Sequence, residues 1–355
     1  KSLGEVTKVL RGRRLTREQL SADMKFPVFH GGLEPLGYYG LSNRPANSVM
    51  IINVGASAGT VGYSDVDFWS SDGCYCLEHS ELLNNKFLYY YLIGKQNFLQ
   101  SRVRKAGIPT LDGLVVEKLQ IAIPPLSIQN EIVRILDSFT ELTAELTAEL
   151  TARKQQYNYY RDKLLRFEDG EVELVALQYL AENLDSMRKP VTSGLRDAGD
   201  IPYYGASGIV DYVKDYIFDG EFLLISEDSA NLIARNTPIA FSVSGKSWVN
   251  NHAHVLKFNT YAERRFVEYY LNSIDLTSFI SGAAQPKLNQ KNLNSIKIPN
   301  PSPKEQVRIV SILDTFDTLT NSITEGLPKE ISLRKQQYEY YRDKLLTFPK
   351  NNIEL

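Results

Sequence analysis

Several short stretches of this chain carry residue types that do chemistry elsewhere, and spacing decides what each can do here. Ser242-Val243-Ser244-Gly245-Lys246-Ser247 ends like a loop whose backbone N–H groups and lysine cradle phosphates. The first glycine of that pattern belongs five residues before Gly245, where the chain has Ala240, so the pattern fails. Ile298-Pro299-Asn300-Pro301-Ser302-Pro303 is near the Asn-Pro-Pro-aromatic signature of amino-methyltransferases. It lacks the aromatic, and its prolines stand where a helix start wants them. There is no Gly-x-Gly-x-x-Gly, so a dinucleotide-type cofactor pocket is not expected. Asp112, Glu117 and Lys118 have nuclease-like residue types. Glu117 and Lys118 are adjacent, however, and on a strand would point to opposite faces, leaving a solvated surface as the better account. His252 and His254 flank one residue and share a strand face, but no third ligand stands nearby, so a metal site is not expected. Cys74-x-Cys76 has no second pair, which makes neither a disulfide framework nor a zinc site; reduced thiols of a cytoplasmic protein are the reading. No catalytic constellation emerges.

Composition narrows the class further. The chain has 355 residues, 43% hydrophobic and 23% charged, average values for globular domains and enough for two or three of them. No apolar run reaches membrane-spanning length, and the opening residues lack the apolar region of a secretory signal. A net charge of −2 argues against a bulk nonspecific nucleic-acid binder. It leaves room for a protein that reads a few bases while a partner supplies most phosphate contacts.

The elements that would position any site are themselves duplicated. Arg153–Phe167 reads "RKQQYNYYRDKLLRF" and Arg334–Phe348 reads "RKQQYEYYRDKLLTF", identical at 13 of 15 positions and 181 residues apart. Further pairs precede them. "IVRILDSFTELT" (132–143) answers "IVSILDTFDTLT" (309–320), Pro109-Thr110-Leu111 answers Pro286-Lys287-Leu288, and "NKFLYYYL" (85–92) answers "RRFVEYYL" (264–271). Trp69 answers Trp248, and "FPVFHGG" (26–32) answers "IPYYGASG" (201–208). A unit of about 177 residues is present twice, near-identical in its helical end and loose elsewhere.

Ile128, Ile132, Ile135, Phe139, Leu142 and Leu146 follow a 4, 3, 4, 3, 4 spacing, an apolar heptad seam. This predicts a helix over 128–167, roughly 60 Å long, ending near Gly170. Its "LTAELTAELTA" (142–152) repeats every four residues, a stutter in the heptad frame. Ser302-Pro303-Lys304-Glu305 predicts a capping box for the second copy, Gly326-Leu327-Pro328 an interruption, and Pro349 a stop. Strands are predicted in "VMIINVG" (49–55) and "GEFLLISED" (220–228), and helices in "NNKFLYYYLIGKQNFLQSRV" (84–103) and "ERRFVEYYLNSIDLTSFI" (263–280).

This arrangement, with "I-L-D-x-F" and "Y-x-Y-Y-R-D-K-L-L" both occurring twice, resembles the DNA-specificity subunit of type I restriction–modification enzymes over essentially the entire chain. The resemblance implies an α+β fold: two tandem mixed α/β target-recognition domains (1–125 and 170–300) and two conserved spacer helices (126–169 and 301–349, interrupted near 326–328). The helices would form an antiparallel coiled coil within a pseudo-two-fold repeat, followed by a tail (350–355). It implies a noncatalytic subunit in which each domain reads half of a bipartite site in double-stranded DNA. The helices would set the spacing and dock two modification (methyltransferase) subunits, with restriction subunits completing the complex. Cofactors would be absent from this chain, with S-adenosylmethionine, ATP and magnesium on the partners. Two competing readings stand beside it: a coiled-coil scaffold without nucleic acid, and a single-chain DNA methyltransferase or nuclease.

Base edges are read by Arg, Lys, Asn, Gln and Ser side chains, and phosphates mainly by Lys, Arg and backbone N–H groups. In the first copy the loop residues of suitable type are His30, Asn43, Arg44, Arg102, Arg104, Lys105 and Thr110. In the second they are Tyr204, Ser207, Lys246, Lys287, Asn289, Gln290 and Lys291. Solvated loop surface is the competing account of each. On the helices Tyr157, Tyr160 and Leu164, with their copies Tyr338, Tyr341 and Leu345, fall on one face. With the ion-pair candidates Arg161–Asp162 and Arg342–Asp343 they form the candidate partner interface, weighed against packing within the chain.

Overall fold

Ser48–Ile52 is buried at all five positions, as a central strand covered on both faces must be. The structure is a computed structural model and describes residues 1–228, 230–282 and 285–348, so the stop expected at Pro349 and the tail lie outside the described residues. Two compact units emerge: Lys1–Thr147 with the chain from Glu330 onward, and Ala148–Lys329.

In unit 1 the strands are β1 (Val9–Arg11), β2 (Phe26–Phe29), β3 (Gly37–Tyr39), β4 (Ser48–Ile52), β5 (Val61–Ser64), β6 (Trp69–Ser70) and β7 (Cys74–Leu77). An antiparallel sheet runs β1-β7-β4-β5, and a smaller one β3-β2-β6, where β2 and β6 are parallel with Val28 opposite Trp69. Helix α1 (Asn85–Gly94) starts at Asn84, whose side chain accepts from the Lys86 N–H at 2.8 Å. It buries Phe87, Leu88 and Leu92 against Val49, Ile51 and Val61. The remaining expected helix is the short α2 (Gln96–Ser101). Helix α3 (Gly113–Glu117) takes Asp112 as its N-cap, accepting from the Leu114 N–H at 2.9 Å. Asp112 is therefore spent on a cap, and Glu117 ends a helix rather than lying on a strand.

Helix α4 runs Leu126–Leu164 without a break. It ends six residues before Gly170, which lies in a turn with φ of +82°. Tertiary packing stops it early: Leu165 is buried in the core of unit 2, and Phe167 meets Phe266 with ring centroids 6.4 Å apart.

Unit 2 continues with β8 (Glu173–Ala176), β9 (Glu182–Asn183), β10 (Ala198–Gly205), β11 (Gly208–Val213) and β12 (Phe218–Ser226). Helix α5 (Asn231–Ala234), β13 (Ala240–Val249), β14 (Ala253–Lys257), α6 (Tyr261–Ser273), α7 (Gln290–Ser295) and β15 (Lys297–Asn300) follow. One sheet runs β11-β10-β13-β12-β14-β9, another β15-β8. Again one contact is parallel, β10 on β13, with Tyr203 opposite Trp248. Both tryptophans also make the same hydrogen bond: Trp69 Nε1 donates to the Arg13 carbonyl at 2.7 Å, and Trp248 Nε1 to the Lys189 carbonyl at 2.6 Å. The stretch 242–247 is the middle of β13, paired across β12, and not a phosphate loop.

Helix α8 (Pro303–Asn321) has half of the expected capping box. Ser302 Oγ accepts from the Glu305 N–H at 3.3 Å, but the Glu305 carboxylate pairs with Arg308 at 2.6 Å. The interruption falls at 322–325, and Gly326-Leu327-Pro328 opens helix α9 (Gly326–Leu345). A proline in a first turn lacks only an N–H that has no helical partner there. Gly326 has φ of +71°, and a Cβ on it would lie 2.4 Å from the Thr318 carbonyl, so it lets the chain turn sharply at the break.

The duplicated Ile-Leu-Asp segment bolts each spacer helix to its globular unit. In unit 1 Asp137 accepts from Lys86 at 2.9 Å and from the Tyr90 hydroxyl at 2.5 Å. In unit 2 Asp314 accepts from Arg265 at 2.8 Å and from Tyr269 and Tyr261 at 2.7 Å each. Both use a cation and a tyrosine one helical turn apart.

Candidate nucleic-acid interface

Both units end their central strand against the repeated Pro-x-Leu turn through main-chain atoms. In unit 1 the Leu111 N–H donates to the Asn53 carbonyl at 2.8 Å, and Thr110 and Arg104 exchange main-chain bonds at 3.1 and 2.9 Å. In unit 2 the Leu288 N–H donates to the Glu227 carbonyl at 2.7 Å, and Lys287 and Ser281 exchange bonds at 2.8 and 2.9 Å. Thr110 and Lys287 thus occupy the same seat.

The side chains around that seat differ. In unit 1 Asn53 donates to the Asp72 carbonyl at 3.3 Å, and His30 Nδ1 accepts from the Gly73 N–H at 3.2 Å, with the Asp72 carboxylate 3.4 Å away. In unit 2 a charged cluster fills the space. Glu227 pairs with Arg188 at 2.6 Å and Lys287 at 3.0 Å, and His252 Nδ1 meets Asp228 at 2.7 Å. His254, fully buried, lies 2.6 Å from Asp185 and donates from Nε2 to the Leu288 carbonyl at 2.7 Å. Burial pushes the Asp185 and Glu227 carboxyls up. The bonds to His254 and Val255 for Asp185, and to Arg188 and Lys287 for Glu227, outweigh it and hold both below their ordinary values. The two histidines share no ligand, and no metal-type cluster exists among the described residues.

The expected readers divide accordingly. His30, Arg104 and Thr110 come together in unit 1, with Lys105 exposed beside them. In unit 2 Lys287 sits against Asp228 and Glu227, while Tyr204 packs on Phe241 with its carbonyl accepting from the Asn250 N–H, and Ser207 is exposed in the adjoining hairpin turn. Others are occupied. Asn43 donates to the Ser70 carbonyl at 3.0 Å and accepts from the Ser70 N–H at 2.7 Å, while Arg44 donates to the carbonyls of Asn43 and Arg11. Both therefore clamp the backbone rather than face a ligand. Asn289 caps α7, Gln290 donates to Asn183, Arg102 lies over Phe98, and Lys246 lies over Tyr216, whereas Lys291 is exposed. Asn53, Asp72, Glu227 and Asp228, which floor the two patches, were not singled out from sequence. Only their place one or two residues past a strand end could have flagged them.

The helix ends divide too. Tyr157 and Leu164 pack on the core of unit 2, and Tyr338 and Leu345 on the core of unit 1, each partly buried there, so packing within the chain takes up much of their surface. Burial raises the hydroxyl pKa of both tyrosines to about 12. Arg161 and Arg342 lie over those rings and pair with Asp162 and Asp343 at 2.7 and 2.8 Å. Exposed residues remain in identical geometry. Tyr159 is 61% exposed beneath Lys163, and Tyr340 is 60% exposed beneath Lys344. Tyr160 and Tyr341 stand beside them, each at 5.3 Å and 78° to its neighbour.

These paired patches and duplicated helices agree with the family comparison. The sequence profile described as the type I restriction modification DNA specificity domain matches residues 1–153 and 170–333. The chain belongs to this family and is a specificity subunit of the type I restriction–modification class. It is 39% identical over 303 residues to the type I restriction enzyme EcoR124I/EcoR124II specificity subunit of Escherichia coli, covering 78% of this chain and 73% of that protein. It is 42% identical over 203 residues to a putative type I restriction enzyme specificity subunit of Haemophilus influenzae, covering 55% of this chain and 51% of that protein. The fold is shared with the crystal structure of the type I restriction–modification S subunit from M. genitalium. That likeness has a TM-score of 0.69 at 18% identity and covers 99% of this chain and 96% of that one.

Proposed function

We propose that this chain reads a bipartite site in double-stranded DNA as the noncatalytic specificity subunit of a cytoplasmic type I restriction–modification complex. Unit 1 reads one half-site with the patch around Thr110 and His30. Unit 2 reads the other with the patch around Lys287 and His252. The observation that carries this is one main-chain seat used twice with different side chains, which suits two different base sequences met in one geometry.

The helices set the gap as antiparallel spacers and dock two modification subunits. Residues exposed at equal depth contribute little to folding, so their identity in both copies supports one kind of partner bound twice. Those partners carry S-adenosylmethionine, and restriction subunits supply ATP- and magnesium-dependent cleavage. The scaffold alternative predicts no sequence enrichment. Selection from a random duplex pool with the chain bound to its modification subunits tests both: two defined half-sites at fixed spacing are expected, and an unenriched pool overturns the reading.

A further inference from the structure

Arg11, Arg13, Arg14 and Arg17 stand within seven residues of one another, in a stretch separate from the candidate base readers. All four are exposed, and among the described residues none forms an ion pair. The side chains of Arg13, Arg14 and Arg17 make no hydrogen bond or ring contact there either. Such a run repels itself and gives nothing back to folding unless an anion meets it. In a chain of net charge −2 it is a local feature and not a consequence of composition.

Its backbone is held firmly. The Gly12 N–H donates to the Cys74 carbonyl at 3.1 Å, the Arg13 N–H to the Ser70 carbonyl at 2.8 Å, and Trp69 Nε1 closes on the Arg13 carbonyl at 2.7 Å. A Cβ at Gly12 would lie 2.1 Å from the Ser71 carbonyl, so only glycine lets the strand pass this close. The turn it lies along carries Asp72, part of the unit 1 patch, and Arg11 Nε donates to the Asp72 carbonyl at 3.4 Å. The main chain at Gly12 and Arg13 is thereby ordered in folding, and only the arginine side chains remain to be ordered in binding.

Unit 2 lacks this strip. Lys189 takes the seat of Arg13, and its neighbour Arg188 is neutralised by Asp185 and Glu227. Arg196 pairs with Asp211 at 2.9 Å.

We infer that Arg13, Arg14 and Arg17 grip the phosphate backbone of DNA beside the half-site met by unit 1, an inference that rests on the proposed DNA-reading function. The contact is independent of base sequence, and it makes unit 1 the more salt-sensitive of the two.

The test uses the full chain with its modification subunits and a duplex selected from a random pool, titrated between 50 and 200 mM salt. In R13Q/R14Q/R17Q the slope of log affinity against log salt flattens by about 0.9 per lost contact, roughly 2.7 in all, while base preference at both half-sites holds. The triple lysine variant keeps most of the slope. An unchanged slope in the glutamine variant overturns the inference, as does an altered base preference. So does failure of that variant to fold, since these side chains would then serve the structure. If the unaltered chain selects no duplex, the DNA-reading function falls and this inference with it; a salt slope in the glutamine variant equal to that of the unaltered chain, with selection intact, removes the phosphate strip alone.

Discussion

Tyr341 stacks on Phe139 with ring centroids 5.4 Å apart and planes 21° from parallel, and in the other unit Tyr160 stacks on Phe316 at 5.7 Å and 22°. The partners belong to opposite copies of the repeat. The last turns of α9 therefore complete unit 1, and the last turns of α4 complete unit 2. Aromatic pairs of this geometry are worth about 0.5–1.5 kcal/mol beyond area burial. A double-mutant cycle of Phe139→Ala and Tyr341→Ala is expected to return a coupling in that range. Denaturation of unit 1, followed by Trp69 emission in a Trp248→Phe background, measures it. A coupling indistinguishable from zero contradicts the assignment.

The charged cluster should make unit 2 acid-sensitive. Asp185 and Glu227 have folded-state pKa values below the ordinary range, so their contribution is complete above the unfolded values near 4. It is lost as pH falls through the lower folded values. Asp185→Asn removes the carboxylate that His254 Nδ1 and the Val255 N–H meet and leaves Arg188 with Glu227 alone, and is expected to cost unit 2 about 1–3 kcal/mol at neutral pH. The gap between wild type and variant closes as pH drops below about 4. Trp248 emission in a Trp69→Phe background tracks it, and a gap constant with pH would refute the assignment.

The twin exposed tyrosines give a stoichiometric test of partner docking. On the proposed docking, Tyr159→Ala and Tyr340→Ala are each expected to weaken one modification-subunit site, so that native mass spectrometry shows a one-to-one complex for either variant and free chain for the double. Retention of two modification subunits by the double variant would place the docking surface elsewhere.

The four-residue repeat in α4 makes a ruler test available. Removing Leu146–Glu149 shortens the helix by roughly 6 Å and rotates its C-terminal half by about 40°. A selected-duplex survey of the deletion variant is expected to show a gap shorter by one or two base pairs. An unchanged gap would rule out the helix as the spacer.

Much of the architecture is legible in the residues. Thirteen shared positions of fifteen announce the duplication, and the heptad spacing from Ile128 to Leu146 announces α4. Local pattern fails where distant contacts decide. Periodicity carries α4 to Phe167, but burial of Leu165 in unit 2 ends it at Leu164. Gly326-Leu327-Pro328 reads as a break, and yet the chain turns just before it, because a first turn tolerates proline. Asn43 and Arg44 have the chemistry of base readers, and only their bonds to Ser70 and Arg11 reveal a clamp. Tyr157 and Tyr338 share a face with exposed tyrosines, and nothing in a helical wheel says which neighbours a core will claim.

Positions 110 and 287 are anchored through amide and carbonyl groups, whatever side chain they bear. The one ionic contact there joins the half-exposed Lys287 to the buried Glu227, which Arg188 holds as well. On the proposed DNA-reading function, exchanging the residue on such a mount is expected to alter target choice while the main-chain bonds that hold it stay in place. At position 110, where the side chain holds no charge partner, such an exchange calls for no compensating repair elsewhere.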